Sequence, residues 1–220
     1  MYQTQPRFSS VRPQVSTAGL LGQVLGITGV GFVLTAIAAY LFRDVSPMVG
    51  LIAFFAAFAL IFVISGQRQN QQAALLWFYA FTFLEGIGLA PTLHRYVLAF
   101  GPDVVVNAAS TTGAGMLVLG GVANLFSVDW RRFSGIAFGL LIALVVVGVI
   151  SIFTHWIHPT TYAWATLGIF TLITLIDFSR IRAGGSGAGP VQLAVSIYLD
   201  ALNIFIALLQ IFGGRSSSRD

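Results

Sequence analysis

The stretch SGIAFGLLIALVVVGVISIF, residues 134–153, decides the fold, because none of its positions carries a charged side chain. Crossing the hydrocarbon of a bilayer as a helix takes about 20 apolar residues, and this run is that long. The same ruler laid along the rest of the chain gives candidate spans at about 19–41, 48–66, 71–97, 104–126, 160–181 and 190–212. Polar punctuation separates them: Arg43-Asp44 with Pro47, residues 66–72, Gly101-Pro102-Asp103, and residues 129–132, 155–159 and 180–190. The reading is an all-α integral membrane protein with seven transmembrane helices over 19–213, between an N-terminal tail, 1–18, and a C-terminal tail, 214–220. Pro91 falls inside the third span and predicts a kink there, its freed carbonyl satisfied by neighbouring helices.

Composition points the same way. Of 220 residues, 57% are apolar and 8% charged, with a mean hydropathy of +0.89. A soluble domain carries about 25% charged residues to face water; this chain can be covered only by lipid. The sequence pI near 10.0 does not indicate nucleic acid, since the formal charge is only +4 and the arginines are scattered between apolar runs. Lysine is absent, which removes a retinal Schiff base and suits a GC-rich bacterial genome. Without cysteine there is neither a disulfide framework nor a thiolate metal site.

If the spans alternate, Arg7, Arg12, Arg68, Arg131, Arg132, Arg180 and Arg182 share one side, and Arg43, Arg95, Arg215 and Arg219 the other. The positive-inside rule then places the N-terminus in the cytoplasm and the C-terminal tail outside. Ala36-Ile37-Ala38 resembles a signal-peptide cleavage site. However, the apolar run before it exceeds the usual 7–15 residues and its arginines lie well upstream, so the first span is read as retained.

Function is sought where polarity is expensive, since a carboxylate at a helix centre costs on the order of 2.5–3.5 kcal/mol on insertion scales. Three acids fall inside spans: Glu85, Asp177 and Asp200. Spans six and seven form a hairpin around residues 183–189, which sets Asp177 opposite roughly residue 196, one helical turn from Asp200. At 1.5 Å rise per residue both lie on the order of 10–20 Å from the cytoplasmic edge. Two carboxyls so placed can share a proton and cannot both ionise cheaply, which makes a proton-sensitive latch; the alternative is two separately bonded aspartates. Arg68, closing span two on the same side, can offer a planar fork to both, or serve as an ordinary positive-inside arginine. Glu85, roughly 21 Å along span three, can line a cation path or be protonated and hydrogen-bonded to a neighbouring helix.

Other signals are weaker. Gly22 with Gly26, and Gly135 with Gly139, have the GxxxG spacing of close helix contacts, which 24 glycines also produce by chance. Gly184-Gly185-Ser186-Gly187 lacks the Lys of a phosphate-binding loop and any preceding strand, and reads as a hairpin turn. Trp130, Trp156 and Tyr162 fall at expected interfaces. His94, His155 and His158 form a conceivable zinc set near the outer face, though loop histidines beside Trp156 and Pro159 suit an interface better.

Two segments carry a family resemblance. Phe81-Thr82-Phe83-Leu84-Glu85-Gly86-Ile87-Gly88-Leu89-Ala90-Pro91 resembles the third-helix motif of the Bax-inhibitor family. Ser196-Ile197-Tyr198-Leu199-Asp200-Ala201-Leu202-Asn203-Ile204-Phe205 resembles its seventh-helix signature, and Asp177 matches the aspartate that ends the family's sixth helix. The resemblance implies a seven-helix bundle with the last helix at its centre. It also implies pH-dependent calcium leak, with Asp177 and Asp200 as the proton-sensing pair, transient calcium at their carboxyls, and Arg68 as the counter-charge. Tyr198 and Asn203 match the signature and join Glu85 as candidates for the ion path. The chain departs from the family pattern at Ile176, where many members carry tyrosine, at Phe178-Ser179 after the aspartate, and at Ala201, usually aromatic.

The leading expectation is therefore a pH-sensitive calcium or cation leak channel in a bacterial inner membrane, whose partners are the lipid bilayer and calcium ions. The alternative is a membrane interaction protein that acts on another membrane protein, in stress or cell-death regulation, without conducting ions. An enzyme is not expected: the Gly-x-Gly-Asp motif of intramembrane aspartyl proteases is missing around Asp200. No cofactor and no nucleic-acid partner are expected.

Overall fold

The computed structural model describes residues 17–126, 128–154 and 157–216. Its long helices are α1 (Thr17–Leu41), α2 (Pro47–Gly66), α3 (Gln71–Phe100), α4 (Asp103–Leu125), α5 (Ser134–Thr154), α6 (Pro159–Arg182) and α7 (Pro190–Ser216). Every expected span is a helix, with ends shifted by about one turn or less, and all seven are long and apolar enough to cross a membrane. The α3 helix runs without interruption across Pro91. Of the expected tails, residues 1–16 and 217–220 lie outside the described residues.

Local chemistry sets the boundaries. Ser46 accepts from the Val49 N–H at the start of α2, with Pro47 in the first turn, and Asn70 accepts from the Ala73 N–H at the start of α3. Each side chain satisfies one of the orphan donors of a helix N-terminus. Gly101, at φ 80°, ends α3, a conformation that side chains with a Cβ avoid. His158 caps α6 through its ring, with Pro159 following. Between α6 and α7, Gly184, Gly185 and Gly187 at φ near 80° and Ser186 at φ 49° turn the chain back on itself. Asp129 accepts from Arg131 at the single 3₁₀ turn Trp130–Phe133 that precedes α5, and that bond holds the Asp129 carboxyl below its ordinary range.

The last helix is central. In its membrane-length window 61% of residues are buried, against 11% in the span that contains α5, and α7 touches α1, α2, α3, α4 and α6. Five helices thus line it. The α5 helix stands outside, packed against α6, and its outer surface is Ile136, Phe138, Ile142, Val146 and Phe153.

Close approach of α1 and α3 depends on small residues, as helix contacts in membranes do. A Cβ on Gly86 would meet the Thr35 carbonyl and lie 2.7 Å from the Ala38 Cβ, and one on Gly31 would lie 2.9 Å from the Phe78 ring. The GxxxG pairs marked by spacing do not act this way. Gly22, Gly26, Gly135 and Gly139 are exposed, and a Cβ on any of them would have nothing within 4 Å; they look outward from the bundle. Replacing Gly86 with Ala is expected to destabilise the detergent-solubilised protein by about 1–3 kcal/mol through overpacking. Gly22→Ala should stay within about 0.5 kcal/mol of wild type. Thermal unfolding of the two variants checks this, and equal effects would contradict the assigned packing.

Candidate functional site

The hairpin brings the two aspartates together. Asp177, five residues before the end of α6, and Asp200, ten residues into α7, are 7% and 3% exposed. Their carboxyls interact electrostatically across the seam, with Ser196 within hydrogen-bonding reach of Asp177 and Thr174 beside Asp200. One oxygen of Asp200, Oδ2, is buried without a hydrogen-bond partner among the described residues. A buried polar oxygen left unpaired is costly, and an unpaired charge far more so. The site therefore has a use for a proton or a cation at Asp200.

The guanidinium on Asp177 is that of Arg180. Its Nη1 donates to Asp177 Oδ1 at 3.0 Å from one turn further along the same helix. The side chain of Arg180 is 39% exposed while that of Asp177 is 11% exposed, so the arginine reaches in from the rim of the bundle. Arg68, expected as the counter-charge, is exposed in the α2–α3 turn and forms no ion pair among the described residues. Its backbone carbonyl is taken by the Gln71 side chain at 2.9 Å, which fixes this turn. The i,i+3 spacing of Asp177 and Arg180 is the sequence signal for this ion pair.

Glu85 lies elsewhere. It is 3% exposed, its Oε2 also lacks a partner among the described residues, and it interacts electrostatically with Tyr198, on the other side of α7 from the aspartates. Tyr198 is a structural tie. Its hydroxyl shares a 2.6 Å hydrogen bond with Thr35, which in turn donates to the Thr82 carbonyl at 2.9 Å, while its ring packs on Phe32, Phe78 and Phe81. Asn203 is half-buried and donates to the Leu199 carbonyl within α7 at 2.8 Å.

Two features of the same end of the bundle carried no sequence signal. Gln71 Nε2 donates to Gln192 Oε1 at 3.1 Å, its Oε1 accepts from the Val191 N–H, and Gln192 Nε2 donates to the Ile64 carbonyl. This amide pair ties α2, α3 and α7 beside the hairpin. Arg182 donates to the carbonyls of Phe126 and Val128 at 2.6 and 2.9 Å, clamping the end of α6 to the segment after α4. Of the histidines, His158 is engaged as a cap, His94 lies 3.9 Å from Asp44, and His155 and Trp156 lie outside the described residues. No three metal-ligating side chains cluster among the described residues. Tyr162 donates to the Leu144 carbonyl of α5, and Trp130 opens the 3₁₀ turn before α5.

The fold and this buried acid pair define a seven-span membrane protein with ionisable groups held inside its helical bundle. The family model described as "Inhibitor of apoptosis-promoting Bax1" matches residues 17–217, and the chain belongs to that family. It is 29% identical over 211 residues to an uncharacterised membrane protein of Vibrio cholerae, covering 94% of each chain. It is 27% identical to the inner membrane protein YbhL of Escherichia coli, over 96% of this chain and 98% of that one. An uncharacterised protein of Helicobacter pylori is 28% identical over 73% of this chain and 70% of its own.

If Arg180 is the partner of Asp177, their energies couple. Arg180→Gln and Asp177→Asn should each lower the unfolding temperature, and the double variant should lose less than the sum, with a coupling of about 1 kcal/mol or more. Arg68→Gln combined with Asp177→Asn should be additive. Additivity for the Arg180 pair would remove Arg180 from the site.

Proposed function

We propose that the protein is a pH-sensitive cation leak pathway, conducting calcium, in a bacterial inner membrane with its N-terminus in the cytoplasm. The observation that carries this reading is the buried Asp177–Asp200 pair on the central hairpin, with one carboxyl oxygen of Asp200 unpartnered among the described residues. Membrane proteins keep acids at such depth where ions or protons pass. The family resemblance supplies the activity, and the name of the E. coli relative as an inner membrane protein supports the location.

The charges suggest how the latch operates. Arg180 compensates Asp177, so a proton on Asp200 leaves the seam without net charge and α6 and α7 packed. When that proton leaves, an uncompensated carboxylate faces Asp177 across a low-dielectric gap, where like charges repel more strongly than in water. Separation of the helices, or entry of a cation, relieves it. Carboxylate and hydroxyl oxygens are suitable ligands for a hard cation such as calcium. Raising the pH removes the proton, so the leak rises with pH.

Calcium flux into dye-loaded liposomes tests this between about pH 5 and pH 8, the range in which a shared buried carboxyl proton is lost. Asp200→Asn and Asp177→Asn should flatten the pH response of the wild type by about tenfold at the alkaline end. A wild-type profile in both variants would contradict the mechanism.

A further inference from the structure

Along the α6 side, α7 carries Ser196, Asp200, Asn203 and Gln210, with the small Ala207 between the last two, spaced every three or four residues. That spacing puts them on one helix face. Opposite, α6 presents Asp177 and Thr174 and, beyond the apolar Phe170, Thr166 and Tyr162 one turn apart. The two helices approach each other at several of these positions. Ser196 reaches Asp177, Thr174 stands beside Asp200, and a Cβ on Gly214 would lie 2.9 Å from the Thr160 hydroxyl. Between these points, Thr166 and Tyr162 share a cavity with Asn203 and Gln210.

That cavity, of about 150 Å³, lies between α5, α6 and α7, with Leu141, Leu144, Val145, Phe170 and Ile206 as its apolar wall. It has room for several water molecules; Tyr162, Thr166 and Asn203 donate to backbone carbonyls, and their oxygens together with the Gln210 amide offer the two to four polar partners an ordered water needs. The Gln210 amide, within a membrane span, forms no hydrogen bond to any described residue, and in hydrocarbon such a group is costly. By contrast, the larger groove between α1 and α4, about 540 Å³, is lined almost entirely by apolar side chains. Such a lining suits lipid rather than a hydrated ion.

We infer that the α5–α6–α7 cavity is a water-filled vestibule, and that a hydrated cation leaving Asp200 travels along the α6–α7 seam through it, past Asn203 and Gln210. This rests on the cation-leak reading and names its route on the side away from the hairpin. The route runs on the opposite side of α7 from Glu85 and Tyr198, which it leaves as packing.

The chain has no cysteine, so single thiols report cleanly. Ala207→Cys and Gln210→Cys variants of the full chain, reconstituted in liposomes, are treated with a permanently charged, bilayer-impermeant methanethiosulfonate. Ile142→Cys, on the outer surface of α5, is the control. Both seam thiols should react, the control should not, and reaction should lower the calcium leak by about tenfold or more, since a bulky cation then occupies the path. Inert seam thiols in protein that still leaks, or reacted thiols with an unchanged leak, would overturn the route while leaving the leak reading intact. Folded wild-type protein that passes no calcium would remove the leak reading, and this route with it.

Discussion

Two carboxyls buried on one helical hairpin are the constraint around which this bundle is arranged. A carboxylate in hydrocarbon without a partner costs several kcal/mol, so α6 and α7 cannot face lipid where Asp177 and Asp200 lie. The remaining helices are disposed accordingly. The α1, α2, α3 and α4 helices close over α7 on its other sides, and α5 is left outermost, packed against α6. The energetic demand of the pair is met from within the hairpin, by Arg180 one turn from Asp177 and by the hydroxyls of Ser196 on α7 and Thr174 on α6. Asp200 keeps one oxygen without a partner among the described residues.

The same logic governs the other polar groups. Thr35, Tyr198 and the Thr82 carbonyl form a closed set inside the α1–α3–α7 contact. Gln71 and Gln192 close another at the hairpin end. Each satisfied network ties helices that apolar packing alone would leave free to slide, because lipid tails compete equally for apolar faces. On the α6–α7 seam Tyr162, Thr166, Thr174 and Asn203 are likewise bonded to backbone carbonyls, and one oxygen of Asp200 is left without a partner among the described residues.

Much of this was legible in the chain. The spans were, because charge-free runs of membrane length separated by Asp103, Asp129 or Arg43 admit few other readings. The meeting of Asp177 and Asp200 was, because a short glycine turn forces an antiparallel hairpin whose register can be counted. Partner choice was harder. Arg68 and Arg180 fall on the same side by the alternation of spans, and what distinguishes Arg180 is its place one turn from Asp177 on the same helix. Small-residue contacts were obscured for a related reason. Gly22 and Gly26 have the familiar spacing yet face outward, while Gly31 and Gly86 make the close contact without it, because spacing does not say which face of a helix meets a neighbour. The Gln71–Gln192 tie joins residues far apart in sequence, and no local pattern announces it.

The central claim is that this chain alone passes calcium and that its acid pair governs the passage. Calcium entry into dye-loaded liposomes containing only the purified protein, scanned from about pH 5 to about pH 8, tests it most directly. The account predicts a flux absent from protein-free liposomes that rises as the pH is raised. No flux at any pH from folded protein would contradict it and leave a membrane protein that acts through a partner.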